Sequence, residues 1–345
     1  MYAPFPALEY YSRGHRPRQR TQAASCSPYV HRERPVTNDD TLPLIDIAPL
    51  RSADLAARAD VARQLGAACR GTGFFAITGH GIPRALRDGA FAAADAFFAL
   101  PADAKRPLAR GLHGPNRGYV GLGAEALDDR GPPDLKEAYN LVWTDGATRP
   151  PNVWPDLPGW REAVQAYFDA VLDVGRLLHR AFALDLGADE HYFDDKLDRP
   201  QATLRLLHYP ARFDADAPYG HAGAGTHTDY GNVTLLATDD VAGLQVQRRS
   251  GGWIDVPALP DDFVCNIGDC LMRWSNDVYV STPHRVLPPA RTRRSIALFL
   301  DPNPDALVSA LPSCVPAGTQ PRYAPVTAEA HLQERFDATY GPGRG

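Results

Sequence analysis

The 345-residue chain has no apolar run approaching the roughly 18 residues that cross a bilayer, and no continuous hydrophobic segment near its start. Neither a membrane span nor a secretory leader is expected. Positive charge is not in excess: 36 Lys and Arg stand against 41 Asp and Glu, the net charge is -5 and the pI is near 6.1. That balance offers no electrostatic footprint for nucleic acid. Cysteine is sparse, and the five residues Cys26, Cys69, Cys265, Cys270 and Cys314 are odd in number and scattered. This excludes a disulfide framework and points to a reducing, cytoplasmic compartment. Cys265 and Cys270 are the closest pair, no second pair completes a zinc ribbon, and they read as core thiols. Lysine occurs only at positions 105, 136 and 196, so arginine carries the basic charge.

What is present is ordinary globular composition, 44% hydrophobic and 22% charged, enough for one large core or two lobes. Residues 1–40 stand apart: Pro4, Pro6, Pro17, Pro28 and Pro35 interrupt any period, and arginine dominates their charge. They read as a disordered tail. Residues 41–156 begin with a strand at Leu42–Ile47, an amphipathic helix near 54–71, a buried strand at Gly73–Ile77, the turn His80-Gly81-Ile82-Pro83 and a helix from Arg84 to Ala99. The Gly- and Pro-rich stretch 107–156 reads as irregular, with Gly118–Gly123 a flexible loop over a substrate mouth. Residues 157–200 hold a long helix near 158–184, apolar at Val164, Tyr167, Val171, Val174, Leu178 and Phe182.

From residue 201 to 303 the pattern turns to short β segments. They are expected at Ala202–Tyr209, Gly225–Asp229, Val233–Ala237, Gly243–Arg248, Trp253–Val256, Phe263–Ile267, Cys270–Trp274, His284–Leu287 and Ser295–Leu300. Many short strands separated by turn residues indicate a β sandwich or barrel. Residues 304–345 form an extension with a helix at 327–340. The fold class is mostly β with flanking helices, and no internal repeat is visible.

His227-Thr228-Asp229 carries the chemistry, with His284 fifty-seven positions later (284 − 227 = 57). Alternate residues of a strand share a face, so His227 and Asp229 can meet one ion, and a jelly roll can bring His284 from a distant strand. Two imidazoles and a carboxylate fill one face of an octahedral ferrous ion and leave three positions open, whereas a structural zinc site needs a fourth ligand. Arg293 and Ser295 follow His284 by nine and eleven residues (293 − 284 and 295 − 284), a cation and a hydroxyl suited to a carboxylate. His208 and His221 lie near enough in sequence to compete as ligands, but the first suits a pocket wall or sheet contact and the second a solvated loop. His80 reads as a turn residue, and His179 and His331 belong to no constellation.

These residues resemble the iron(II)- and 2-oxoglutarate-dependent dioxygenases of the isopenicillin N synthase-like group. The resemblance runs from Leu42 to about Gly341. It rests on Leu42-Pro43-Leu44-Ile45-Asp46, Gly73-Phe74-Phe75, His80-Gly81-Ile82-Pro83, Asp134-Leu135-Lys136-Glu137, His227-Thr228-Asp229-Tyr230-Gly231, Gly268-Asp269, Ser281–Val286 and Arg293-Arg294-Ser295. It implies a double-stranded β-helix (jelly-roll) core. It also implies iron(II) on His227, Asp229 and His284, and 2-oxoglutarate held at its distal carboxylate by Arg293, Ser295 and Tyr209. Dioxygen takes the third open position, and oxidation of a small metabolite releases succinate and carbon dioxide. Leu207-His208-Tyr209-Pro210 departs from the Asn-Tyr-Tyr-Pro of many plant members while keeping the tyrosine.

The same resemblance leaves two other enzymes open: an oxidase that uses no 2-oxoglutarate, and an ethylene-forming enzyme in which Arg205 and Glu125 match residues holding an amino-acid substrate. Against that last role, Glu125 also reads as a partner in an ordinary surface salt bridge. A non-catalytic jelly-roll binding protein is the third alternative. The expected partner is a small molecule, not a nucleic acid or a membrane.

Overall fold

The computed structural model describes residues 41–114, 116–127, 132–211 and 222–340. The expected N-terminal tail, Cys26 and His221 lie outside these residues. The first elements are β1 (Leu44–Asp46), α1 (Leu55–Gly71), β2 (Phe74–Thr78), α2 (Arg84–Phe98) and the short α3 (Ala102–Lys105). The Asp54 carboxylate caps α1 by accepting the Ala56 N–H at 2.9 Å, which satisfies one of the helix's orphan donors. The apolar face of α1, with Val61, Leu65 and Cys69, is buried as its three-and-four spacing requires.

The stretch expected to be irregular contains two strands, β3 (Gly118–Val120) and β4 (Glu137–Val142), paired antiparallel. Gly118–Val120 is therefore sheet, and only Gly121–Gly123 remains a turn. Gly118 has φ +91 and lies so close to the Leu108 carbonyl that an added Cβ would come within 2.2 Å of it. The glycine that suggested a loop is what lets the strand start there. The long α4 (Trp160–Asp185) follows, its apolar face buried from Val164 to Phe182. A Cβ at Gly175 would come within 2.6 Å of Leu300, so this glycine permits the close approach of helix to sheet.

The remaining strands are β5 (Thr203–Tyr209), β6 (Ala224–His227), β7 (Val233–Thr238), β8 (Leu244–Gln247), β9 (Trp253–Asp255), β10 (Phe263–Ile267), β11 (His284–Val286), β12 (Arg293–Leu300), β13 (Leu307–Val308) and β14 (Val326–Thr327), and the last helix is α6 (Ala328–Tyr340). Cys270–Trp274, expected as a strand, instead lies in the helix α5 (Asp269–Trp274). Cys270, Leu271 and Trp274 are buried at positions i, i+1 and i+4, a helical face, and short apolar runs do not separate the two periods.

Eight strands form one sheet in the order β1-β2-β10-β7-β12-β5-β4-β3, and four form a second in the order β6-β11-β8-β9. All neighbours are antiparallel except β1 and β2. This is a mostly β jelly roll with flanking helices. One core lies between the large sheet and helices α1, α2 and α4, with Phe75, Phe97, Tyr139, Phe182, Leu204 and Leu298 among its members. The other lies inside the roll and joins Leu207, Tyr209 and Ala297 of the large sheet to Ala224, Val246 and Val286 of the small one. On β5 the even positions Leu204 and Leu206 belong to the first core, while Thr203, Arg205, Leu207 and Tyr209 face the interior cavity. That alternation decides which side chains reach the site.

Candidate active site

β6 and β11 lie side by side with His227 directly opposite His284, and Asp229 follows at the open end of β6. The His227 and His284 Nε2 atoms each lie 3.7 Å from Asp229 Oδ1. One donor atom from each of the three residues falls within 4.8 Å of the others, a set that could hold a metal ion. The other side of each ring is fixed by backbone. His227 Nδ1 is 2.8 Å from the Gly225 carbonyl and His284 Nδ1 is 3.1 Å from the Thr282 carbonyl. With Nδ1–H donated, both Nε2 lone pairs turn to the centre. Burial, then the neighbouring His284, push His227 down to about 3, so it is neutral at neutral pH. Burial opposes ionisation of Asp229, but the two histidines and its hydrogen bonds outweigh it and hold the carboxyl below its ordinary value. Those bonds come from Thr234 Oγ1 at 2.5 Å and Asn266 Nδ2 at 2.7 Å, both to Oδ2, which leaves Oδ1 free.

Several residues support this cluster, and of them only Gly268-Asp269 belongs to a motif that the sequence singles out. Asn266 is a buried amide within the otherwise apolar Phe263–Ile267, and its polarity was the one available hint. His179, on α4, is fully buried, and burial takes it down to about 4, so it stays neutral. It donates from Nδ1 to the Gly175 carbonyl at 2.8 Å and accepts Asn232 Nδ2 at 3.1 Å, which pins the loop after Asp229. Gly268 is needed because a Cβ there would come within 2.4 Å of the Gly231 carbonyl and 2.9 Å of the Asp229 carbonyl. The Asp269 N–H then donates to the Asp229 carbonyl at 2.8 Å. Helix α6 closes the same side: His331 lies 3.1 Å from the Tyr230 carbonyl, and Arg335 pairs with Asp269 at 2.8 Å.

Beyond the cluster the roll encloses a cavity of about 820 Å³. Arg293, Ser295 and Tyr209 line one end, brought together because Arg293 sits opposite Tyr209 in the β12–β5 register. Arg293 is 1% exposed, its guanidinium lies 4.9 Å from the Tyr209 ring centre, and its Nη1 is 3.4 Å from Ser295 Oγ. No carboxylate among the described residues pairs with it.

Residues 42–157 match the family described as the non-haem dioxygenase in morphine synthesis N-terminal region, and residues 200–302 match the 2OG-Fe(II) oxygenase superfamily. The 2-oxoglutarate-Fe(II) type oxidoreductase hxnY of Emericella nidulans is 38% identical over 315 residues, covering 87% of this chain and 90% of that one. The chain belongs to the iron(II)- and 2-oxoglutarate-dependent dioxygenases. Homoarginine-6-hydroxylase 2-ODD-C23.1 of Arabidopsis thaliana is 34% identical over 299 residues, covering 81% of this chain and 90% of that one. A full-length Neurospora crassa protein, solved in complex with alpha-KG and thymine, superposes with TM-score 0.81 at 32% identity, covering 88% of this chain and 99% of that one. As a dioxygenase of the isopenicillin N synthase-like family, the protein is an oxidoreductase that uses iron(II) and 2-oxoglutarate to oxidise small molecules. This favours the reading that uses 2-oxoglutarate over the oxidase and the binding module. Among the described residues no helix is long and apolar enough to cross a membrane.

Within this dioxygenase the other singled-out residues are now placed. Glu125 and Arg205 both line the cavity, but they pair with each other through Glu125 Oε2 and Arg205 Nη2. The pair is not at the surface: the side chains are 7% and 16% exposed. His208 faces the other way, 2.9 Å from Glu137 and stacked on Phe98, so it packs on the outside of the sheet. His80 is the turn residue expected, accepting the Ile82 N–H at Nδ1. Leu332, Gln333 and Phe336 of α6 complete one cavity wall, a role that their position near the C-terminus did not suggest.

Proposed function

We propose that His227, Asp229 and His284 hold iron(II) and that Arg293, Ser295 and Tyr209 hold the distal carboxylate of 2-oxoglutarate. With dioxygen as the other co-substrate, the dioxygenase then hydroxylates a small molecule and releases succinate and carbon dioxide. Bound iron supplies the activation of dioxygen coupled to decarboxylation of the keto acid. The carrying observation is the division of labour among donor atoms. Each ligand has one atom tied to protein and one turned to a common centre, so three donors are preorganised, and no fourth joins the cluster among the described residues. Arg293 supports the co-substrate assignment, because a guanidinium this buried needs a counter-charge, and a carboxylate stacked beside Tyr209 and Ser295 supplies it. Hydroxylation is supported by the relative named as a hydroxylase.

We also propose a functional division of the chain. Residues 41–156 and the 157–200 helix region support the 201–303 core, and the 304–345 extension contributes α6 to the cavity wall. A cytoplasmic location is supported by Cys69, Cys265, Cys270 and Cys314, all free and buried thiols.

The test is anaerobic addition of Fe(II), then 2-oxoglutarate, while recording the visible spectrum. A new absorption band on adding the keto acid is expected. Asp229→Ala should weaken iron binding by more than about 100-fold, beyond the range seen for outer-layer partners. Arg293→Leu should weaken 2-oxoglutarate binding by about 30-fold or more. An unchanged 2-oxoglutarate requirement in Arg293→Leu would assign that arginine to another ligand.

A further inference from the structure

The cavity has a second charged end, which the co-substrate assignment does not use. It is built on the inner face of β4 and β5, where Asn140 sits opposite Arg205, and on the segment carrying Glu125. Both Glu125 oxygens are taken: Oε1 accepts from Arg110 at 2.7 Å, Oε2 accepts from Arg205, and Lys136 Nζ stands 3.8 Å away. Burial alone would raise the Glu125 carboxyl, but Arg205 and Lys136 outweigh it and hold it ionised. Lys136 is in turn paired with Asp134. Arg205 is the member with capacity to spare. Only its Nη2 has an acceptor; Nε is buried without one, and Nη1 makes no hydrogen bond in the described protein.

Arg149 lines the same wall, held at 2.7 Å by the Pro200 and Arg199 carbonyls, with no carboxylate pairing among the described residues. Among the described residues Glu125 and Asp134 are in ion-pair contact with three cations, Arg110, Lys136 and Arg205. The other lining acids are Asp229 and Asp301, and Asp301 lies beside the metal cluster: a Cβ on Gly231 would come within 1.4 Å of its Oδ1. The lining also includes the apolar side chains of Leu127, Leu207, Leu236, Phe299 and Phe336.

We propose that the substrate is a carboxylate anion with an apolar body, docked by its carboxylate on Arg205, with Glu125 holding that guanidinium in place. This rests on the reading of the cavity as the substrate site of a 2-oxoglutarate oxygenase. It differs from an amino-acid substrate held jointly by Arg205 and Glu125. A carboxylate already surrounded by three cations has no free oxygen for an ammonium group, and those cations repel one. The apolar body then extends towards the iron end, so oxidation falls on a C–H bond remote from the carboxylate.

The experiment is calorimetry on the full chain loaded anaerobically with Fe(II) and 2-oxoglutarate. The titrants are matched sets of acid, primary amide and amine: 3-phenylpropanoate, 3-phenylpropanamide, 3-phenylpropylamine and phenylalanine, with the indole and straight-chain C4 to C10 equivalents. The tightest ligand should be an acid, at least tenfold tighter than its amide. Arg205→Met should weaken that acid by about 30-fold or more while leaving 2-oxoglutarate binding intact. Glu125→Gln should keep acid binding, because the amide oxygen still accepts from Arg205 and holds it in place while a competing charge is removed.

An amine or amino acid as the tightest ligand, loss of binding in Glu125→Gln, or no acid preferred over its amide would each overturn the proposal. If 2-oxoglutarate itself does not bind, the functional reading fails first. The same titrations on the iron-loaded protein then judge the anion site separately.

Discussion

Strands β4 and β5 carry two buried charge clusters, one on each face, and the clusters differ in a way that separates architecture from ligand binding. On the outer face Glu137 accepts from His208 at 2.9 Å, Lys105 at 2.9 Å and Tyr119 at 2.6 Å, and Lys105 also donates to the Phe98 carbonyl at 3.1 Å. One carboxylate meets one lysine, and His208 and Tyr119 close its remaining positions. On the inner face Glu125 and Asp134 meet more cations than they can neutralise, and Arg205 keeps unused donors beside a cavity. A closed network specifies packing, whereas one with spare donors in a cavity is completed by a ligand. The motif Asp134-Leu135-Lys136-Glu137 feeds both, since alternation sends Lys136 and Glu137 to opposite faces.

Breaking the closed cluster should have the largest effect. Glu137→Ala leaves Lys105 buried without its carboxylate, which should cost about 3–5 kcal/mol of stability. Urea melts of wild type and variant measure it directly. The folded fraction should bind 2-oxoglutarate as wild type does. A large binding defect with an unshifted melt would mean the outer cluster is not merely architectural.

The pH response sharpens the same contrast. Burial would raise the Glu137 carboxyl, but hydrogen bonds from His208, Tyr119 and Lys105 outweigh it and lower it from 4.5 to about 2. A depressed carboxylate stabilises the fold above its unfolded value and loses that contribution as pH falls towards its folded value. Wild type should therefore lose on the order of 2 kcal/mol between about pH 4.5 and 2 from this group. In Glu137→Gln that part of the slope should vanish; an equally steep slope in the variant would place the acid sensitivity elsewhere.

On the inner face, disturbance should be read at the metal. Asp134 Oδ1 accepts the Gly225 N–H at 2.9 Å, and the Gly225 carbonyl is the acceptor for His227 Nδ1. Asp134→Ala should weaken iron binding by about 10–100-fold, the range for outer-layer partners of a metal ligand. Competition with a chelator gives the constant, and Asp134→Asn, which keeps an acceptor for Gly225, should recover most of it.

The jelly roll and its iron-end cluster were legible for a physical reason. His227 and Asp229 stand at strand spacing, a weak pattern alone that gains weight from Arg293, Ser295 and the family motifs, and the resemblance singles out Tyr209; the structure sets Tyr209, Arg293 and Ser295 on one inner face. Strands β3 and β4 were hidden because Gly118 and the prolines around them mimic loop composition, although Gly118 serves a close approach to Leu108. Helix α5 was hidden because six residues do not distinguish a helical from an extended apolar run. Glu125 and Arg205 were visible as residues, but their mutual pairing depends on a loop folding back over β5, which no local pattern encodes.

The smallest effect should come from Glu125→Gln. Removing a carboxylate from a closed buried network leaves an orphan charge, but here Arg110 is 39% exposed and Arg205 borders the cavity, so both cations can be solvated. The glutamine oxygen can still accept one of their N–H groups. The stability cost should stay within about 1 kcal/mol, in the range for exposed rather than buried pairs. Parallel urea melts of Glu125→Gln and Glu137→Gln compare the two faces with the same chemical change. Equal losses would show that both clusters are closed, and the distinction between a structural and a ligand-completed network would not hold for these strands.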